Sequence, residues 1–155
     1  MTELTHDQLV SLAGRWLSNR CGVVLTEYSC WNSHEIADAI GFRPRPYGSI
    51  LVECKVTRHD FLNDRMKPRN RPWNHPMGNY RYYLTPQGLL APEDLPQGWG
   101  LLYALEGKKL RVRVVKAADL QTDTEIKASE YDILYSLARR AEIRHLIPKL
   151  REALP

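Results

Sequence analysis

Glu53 and Lys55 combine residue types and a spacing that suit chemistry. They lie two positions apart in the apolar run Gly48-Ser49-Ile50-Leu51-Val52-Glu53-Cys54-Lys55-Val56. A β-strand projects residues i and i+2 to the same face, so this carboxylate and this amine are predicted to emerge side by side. Such a pair is either a surface ion pair or part of a functional site, and the neighbouring strands decide between the two.

Two further acidic residues align with this pair if the preceding segments form a meander. Three segments rich in β-forming residues are predicted as consecutive strands: 23–31, 34–42 and 49–56. A two-residue turn between the first two strands places Glu27 opposite Asp38, and the next hairpin places Asp38 opposite Glu53. Directly opposed like charges destabilise a sheet by up to ~1 kcal/mol per pair, so this row of carboxylates predicts a bound cation.

The donor types indicate which cation the row would bind. Carboxylate oxygens, with no histidine or cysteine pair at zinc spacing, suit a hard ion such as Mg²⁺ or Mn²⁺. The backbone carbonyl of Cys54 could complete the protein's share of the ligands. The predicted metal ligands are therefore Asp38, Glu53, the Cys54 carbonyl and, as a third carboxylate, Glu27.

Helices are predicted around these strands. Apolar spacing and cap residues indicate three helices. The first covers 5–19 and begins at a capping box formed by Thr5 and Gln8, the second covers 57–65, and the third covers 129–153, with Ser129 as its cap and Tyr131 on its apolar face. Further strands are predicted over 80–84, 99–105 and 110–115. Tyr82 and Trp99 are predicted core aromatics. The order predicts an α/β (α+β) fold with a central mixed sheet flanked by helices. We expect one domain over 1–155, with its core at about 5–116 and a helical C-terminal segment.

Composition sets limits on the class of protein. The 155 residues are 43% hydrophobic and 26% charged, which is typical of one soluble globular domain. No apolar run approaches the ~20 residues of a membrane helix, and no secretory signal is visible. Three scattered cysteines (Cys21, Cys30, Cys54) indicate reduced core thiols, so we expect a cytoplasmic protein with no membrane partner.

A basic segment follows the second helix. The net charge of +4 makes a polyanionic partner plausible, and cations are concentrated between residues 66 and 81, interleaved with Trp73 and Tyr80. The candidate nucleic-acid contacts are Lys67, Arg69, Arg71, Arg81 and Arg43. The alternative for this segment is an ordinary solvated loop.

The ordered motifs resemble a known family. Asp38 followed by Glu53-Cys54-Lys55, on consecutive strands behind a helix, resembles the PD-(D/E)XK nuclease superfamily. The segment from Lys55 to Asp64 is similar to the Lys-x-Ser/Thr-x-x-Asp-Phe stretch of small stand-alone members related to DNA-repair and phage nucleases. The resemblance extends over about 24–115, through Tyr82-Tyr83-Leu84-Thr85-Pro86 and 95–102. Ala37 stands where the motif's name has proline.

The resemblance implies a restriction endonuclease-like fold with an αβββαβ core, and a Mg²⁺- or Mn²⁺-dependent DNA nuclease in a repair, recombination, phage or defence setting. Asp38 and Glu53 would hold the metal. Lys55 would orient the attacking water, as a base or purely electrostatically. Some relatives use a helical glutamate as an extra ligand, but the first helix offers only Asp7 at its start, so Glu27 or Glu35 would serve instead. A homodimer is compatible with the resemblance.

Two other interpretations remain open from the sequence. The chain could be a catalytically silent nucleic-acid-binding module of a larger complex, although clustered carboxylates beside phosphate do not favour binding alone. It could also be a structural or interaction protein in which Glu53 and Lys55 form a surface pair.

Overall fold

A computed structural model describes residues 3–29, 36–66, 77–122 and 124–143. Its elements, in chain order, are α1 (His6–Ser18), β1 (Val23–Tyr28), β2 (Ala37–Phe42), β3 (Ser49–Cys54), α2 (Arg58–Met66), β4 (Tyr80–Pro86), a 3-10 turn (Pro92–Asp94), β5 (Gly100–Leu105), β6 (Arg111–Lys116) and α3 (Thr124–Ile143). The predicted order of helices and strands is confirmed. The chain forms a mixed α/β fold.

The six strands form one mixed sheet in the order β1-β2-β3-β4-β5-β6. The three strands β3, β4 and β5 run parallel to one another, and the remaining pairs are antiparallel. The predicted register between β2 and β3 is confirmed, because Phe42 pairs with Ser49. The predicted register between β1 and β2 is also confirmed, because Thr26 pairs with Ala39. The predicted turn at 32–33 lies outside the described residues.

Helix α1 covers one face of the sheet. Its start is the predicted capping box, in which Thr5 and Gln8 exchange side-chain and backbone hydrogen bonds. Its apolar stripe packs on alternate residues of the central strands, including Val52 and Cys54 of β3. Cys21 and Cys54 are free buried thiols, as predicted, whereas Cys30 lies outside the described residues. Tyr82, a predicted core aromatic, is half-buried and meets Trp16 of α1 edge-on.

Helices α2 and α3 contribute to the core on the opposite face of the sheet. Phe61 of α2 and Ile133 of α3 are buried there with Tyr83 and Trp99. Tyr83 stacks on Trp99 at 4.4 Å between ring centroids, and Phe61 meets Tyr83 edge-on at 5.1 Å. The prediction that Trp99 is a core aromatic is confirmed. These aromatic contacts hold α2 against β4, next to the end of β3.

Helix α3 differs from its prediction. It begins at Thr124 rather than at Ser129, and Ser129 is buried within the helix instead of capping it. The buried stripe contains Ile126, Ser129 and Ile133, so Tyr131, expected on the apolar face, is 67% exposed. Because Ser129 is polar, the spacing of apolar residues did not reveal that it belongs to the buried stripe of α3. None of the described helices is long and apolar enough to cross a membrane.

Candidate active site

Glu53 and Lys55 lie at the carboxyl end of β3, a strand with all six residues buried. Lys55 Nζ is 3.8 Å from Glu53 Oε2, and the two side chains are only 12% and 11% exposed. Withdrawing charged groups from water costs free energy unless each finds a partner, so a pair this little exposed differs from an ordinary solvated surface pair. The interpretation as a solvated surface pair is therefore wrong.

Helix α2 adds a second carboxylate to Lys55. Asp64 Oδ1 lies 3.5 Å from Lys55 Nζ, and Asp64 Oδ2 accepts a hydrogen bond of 3.1 Å from the Tyr83 hydroxyl. Helix α2 begins where Thr57 Oγ1 accepts a hydrogen bond from the Asp60 backbone N–H. Phe61 is completely buried, and Asp64 lies one helical turn later on the same face.

Asp64 is a functional candidate that the sequence interpretation did not identify. The signal was available, because an aspartate three residues after an anchoring phenylalanine must face the same core. What the sequence did not show was that this core includes the end of β3. The side chain of Asp64 is only 7% exposed.

Asp38 is held by the backbone of β3. Pairing between β2 and β3 extends to Ala39 opposite Val52, and beyond it Asp38 Oδ2 accepts a hydrogen bond of 2.7 Å from the Cys54 backbone N–H. A carboxylate thus satisfies an amide of β3 at the point where the ladder ends. This contact orients Asp38 next to the residue that separates Glu53 from Lys55.

The start of α1 approaches the other oxygen of Asp38. His6 Nε2 is 3.4 Å from Asp38 Oδ1 and 4.0 Å from Glu27 Oε1. From the sequence, Asp7 is the candidate ligand at this end of the helix, because an acidic side chain is expected there. The structure instead brings His6, the first residue of α1, to the candidate metal ligands.

Glu27 lies beside Asp38, as the register predicted. The pairs on either side of it, Thr26 with Ala39 and Tyr28 with Ala37, keep the predicted alignment. Glu27 has a φ of +47°, a left-handed conformation that is unfavourable for a residue with a side chain. Its side chain is 58% exposed. Glu35, the other candidate for a third ligand, lies outside the described residues.

The carboxylates of Asp38 and Glu53 both lie close enough to Cys54 to affect its thiol. Burial raises the pKa of the Cys54 thiol, and the negative charges of Asp38 and Glu53 raise it further. These surroundings favour the protonated form of the Cys54 thiol. The backbone carbonyl is the group that Cys54 could offer to a metal.

The chemistry of these donors fits a hard divalent cation. Mg²⁺ is commonly held by one or two carboxylates, with water and phosphate oxygens in its remaining positions. Asp38 and Glu53 are two such carboxylates on neighbouring strands. Among the described residues, no group of three or more histidine, cysteine, aspartate or glutamate side chains is arranged to hold a metal. The ligand set of Asp38, Glu53, the Cys54 carbonyl and Glu27 stays a prediction.

Two of the predicted nucleic-acid contacts are engaged with backbone carbonyls. Arg43 donates to the carbonyls of Tyr47 and Gly48, and its guanidinium lies 5.2 Å from the Tyr80 ring centroid. Arg81 Nε donates to the carbonyls at Met77 and Gly78. Both arginines thus support the local backbone. Lys67, Arg69 and Arg71 lie outside the described residues.

Comparison with known proteins shows the fold and leaves the activity undetermined. No protein-family model and no curated protein matches the chain. Among solved structures, it is similar to the SPO1766 protein of unknown function from Silicibacter pomeroyi, with a TM-score of 0.60 and 21% sequence identity. The match covers 92% of this chain and 94% of that one. At this identity, the likeness shows a common fold alone.

Proposed function

We propose that this chain is a Mg²⁺- or Mn²⁺-dependent nuclease that hydrolyses phosphodiester bonds in DNA and has the restriction endonuclease-like version of the α/β fold. The observation that carries the proposal is the charged group at the end of β3. There the largely covered side chain of Lys55 lies 3.8 Å from Glu53, and Asp38 accepts a hydrogen bond from the backbone N–H of the residue between them. Carboxylates beside a cation suit metal-assisted phosphate chemistry.

The proposed roles follow from the side-chain types. Asp38 and Glu53 would hold the metal with the Cys54 carbonyl, and Glu27 would add a ligand. The bound ion would polarise the phosphate and lower the pKa of a water molecule. The ammonium group of Lys55 neutralises the charge that develops on the phosphate. The hydrogen bond from Cys54 keeps Asp38 from rotating away from this site.

The proposed substrate is DNA, as the resemblance to the nuclease superfamily implies. The net charge of +4 favours a polyanion. Further cations lie outside the described residues, at Lys67, Arg69 and Arg71. The positive charges of Arg43 and Arg81 would also attract DNA, although both side chains donate hydrogen bonds to backbone carbonyls. A homodimer that cuts both strands belongs to the same proposal.

The test is a cleavage assay on single-stranded, double-stranded and branched DNA with Mg²⁺ or Mn²⁺. Lys55→Ala should lower the cleavage rate by about 10²–10³-fold, because it removes a preorganised charge, while DNA binding without divalent metal survives. Lys108→Ala, at an exposed turn before β6, is the matched control and should cut like the wild type. Binding with no metal-dependent cleavage in the wild type would favour the silent binding module. Equal cleavage by Lys55→Ala and the control would refute the proposed role of Lys55.

A further inference from the structure

Lys55 is held from two sides by carboxylates that belong to different elements. Glu53, on the same strand, has Oε2 at 3.8 Å from the ammonium nitrogen, and Asp64 of α2 has Oδ1 at 3.5 Å. A lysine side chain has about 2 kcal/mol of rotamer entropy. A single partner on the same strand therefore leaves the Lys55 side chain much of its rotamer freedom. A second carboxylate on another element restricts that freedom much more.

Asp64 is itself fastened on its other oxygen. The Tyr83 hydroxyl donates to Asp64 Oδ2 at 3.1 Å in a fully buried hydrogen bond. The Tyr83 ring is stacked on Trp99 and meets Phe61, the residue that anchors α2. A chain of contacts therefore leads from the aromatic core to the ammonium group.

From this geometry we infer that Asp64, oriented by the Tyr83 hydroxyl, is a positioning residue that fixes the Lys55 ammonium group for phosphodiester hydrolysis. The kinetic part of the inference rests on the proposed function, whereas the contact itself does not. A catalytic group misplaced by about 1 Å can lose about 10²-fold in rate. Asp64 acts through Lys55, without touching the substrate.

Two variants test the inference. Asp64→Asn keeps the size and an acceptor for Tyr83 but removes the charge. Tyr83→Phe keeps the ring contacts and removes only the hydroxyl donor. Tyr103→Phe is the matched control, because Tyr103 also loses one hydroxyl hydrogen bond, which it makes to the carbonyl of Leu90. Unfolding midpoints measured for every variant separate loss of folded protein from loss of rate.

The first measurement does not depend on cleavage. Ammonium protons of exposed lysines exchange rapidly with water, which broadens their signals. In ¹⁵N-resolved spectra at low temperature, a visible ammonium resonance therefore indicates a lysine that is held by buried partners. We expect an ammonium resonance that disappears in Lys55→Ala, which assigns it. The resonance should broaden or vanish in Asp64→Asn and persist in Tyr103→Phe. An unchanged resonance in Asp64→Asn, or no Lys55 resonance in the wild type, would overturn the inference.

The second measurement is steady-state cleavage per folded molecule. Asp64→Asn should lower kcat by about 10²-fold and Tyr83→Phe by about tenfold, while KM for DNA stays within about twofold. A purely structural role would change the midpoint and leave kcat intact, and that result also overturns the inference. If the wild type does not cleave DNA, the proposed function fails, and the resonance alone decides whether Asp64 holds Lys55.

Discussion

At the start of β3 a glutamate from α3 is held by neutral donors, whereas at the end of β3 carboxylates surround a lysine. At the start, Glu130 Oε1 accepts hydrogen bonds from the Ser49 hydroxyl and from the Gly78 backbone N–H. Asn79 joins the same network through Ser49 and through the carbonyl of Gln121. At the end, Glu53 and Asp64 face the ammonium group of Lys55.

The difference separates a structural carboxylate from a candidate catalytic group. Burial raises the pKa of Glu130, and its hydrogen bonds and the charge of Arg81 offset only part of that effect. The hydrogen bonds of Glu130 join α3 to β3 and to the segment before β4 at this point. At the end of β3, by contrast, Lys55 and the carboxylates of Glu53 and Asp64 are largely withdrawn from water. Holding three charged groups there costs free energy, and such clusters are typical of functional sites.

The largest expected effect concerns cleavage. Asp38→Asn should lower the metal-dependent rate by about 10²–10³-fold, because it removes a charged ligand while keeping an acceptor for the Cys54 N–H. Glu130→Gln, the matched change at the other end of the strand, should leave the rate per folded molecule unchanged. Nuclease assays on both proteins make the comparison, and equal losses would show that the two ends do not differ in this way.

The next effect concerns the contribution of Glu130, at the start of β3, to the stability of the fold. Glu130→Ala should lower the free energy of unfolding by about 1–3 kcal/mol, because the Ser49 hydroxyl and the Gly78 N–H lose their shared acceptor. Urea unfolding measures the change. Glu106→Ala, at an exposed turn, should stay within about 0.5 kcal/mol of the wild type. A loss for Glu130→Ala no greater than for Glu106→Ala would contradict a structural role.

A smaller effect should come from metal binding. At ten times its dissociation constant, Mn²⁺ should stabilise the folded protein by about 1.4 kcal/mol, because it binds the native carboxylates and not the unfolded chain. Thermal melts should show this increase in the wild type and in Glu130→Gln, and lose it in Asp38→Asn. The same increase in all three proteins would place the ion elsewhere.

The smallest effect is a pH dependence at the start of β3. The folded-state pKa of Glu130 is raised above its usual value of 4.5, so the folded protein binds this proton more tightly than the unfolded chain. The associated stability is present below pH 4.5 and is lost as the pH rises through the folded pKa. Glu130→Gln should therefore gain stability relative to the wild type across that window, by at most about 1.4 kcal/mol per pH unit. Urea unfolding from about pH 4 to 7 measures the difference, and a flat difference would contradict it.

Several features of this molecule follow from local pattern. Two-residue alternation and turn spacing were enough to align Glu27, Asp38 and Glu53 on neighbouring strands, and the pairs observed around them keep that register. The capping box of Thr5 and Gln8 correctly placed the start of α1. These are contacts between residues that are close in sequence or joined by short hairpins, so the residue types contain the information.

Other features depend on contacts between distant elements. Asp64 reaches Lys55 because Phe61 and Tyr83 pack α2 beside β3, and His6 reaches Asp38 because α1 crosses the sheet at that point. No local pattern reports either approach, since each depends on how helices settle on the two faces of the sheet. The β3 strand could be recognised from its own residues. The strand register placed Asp38 beside it, whereas Asp64 and His6 reach its end through helix packing.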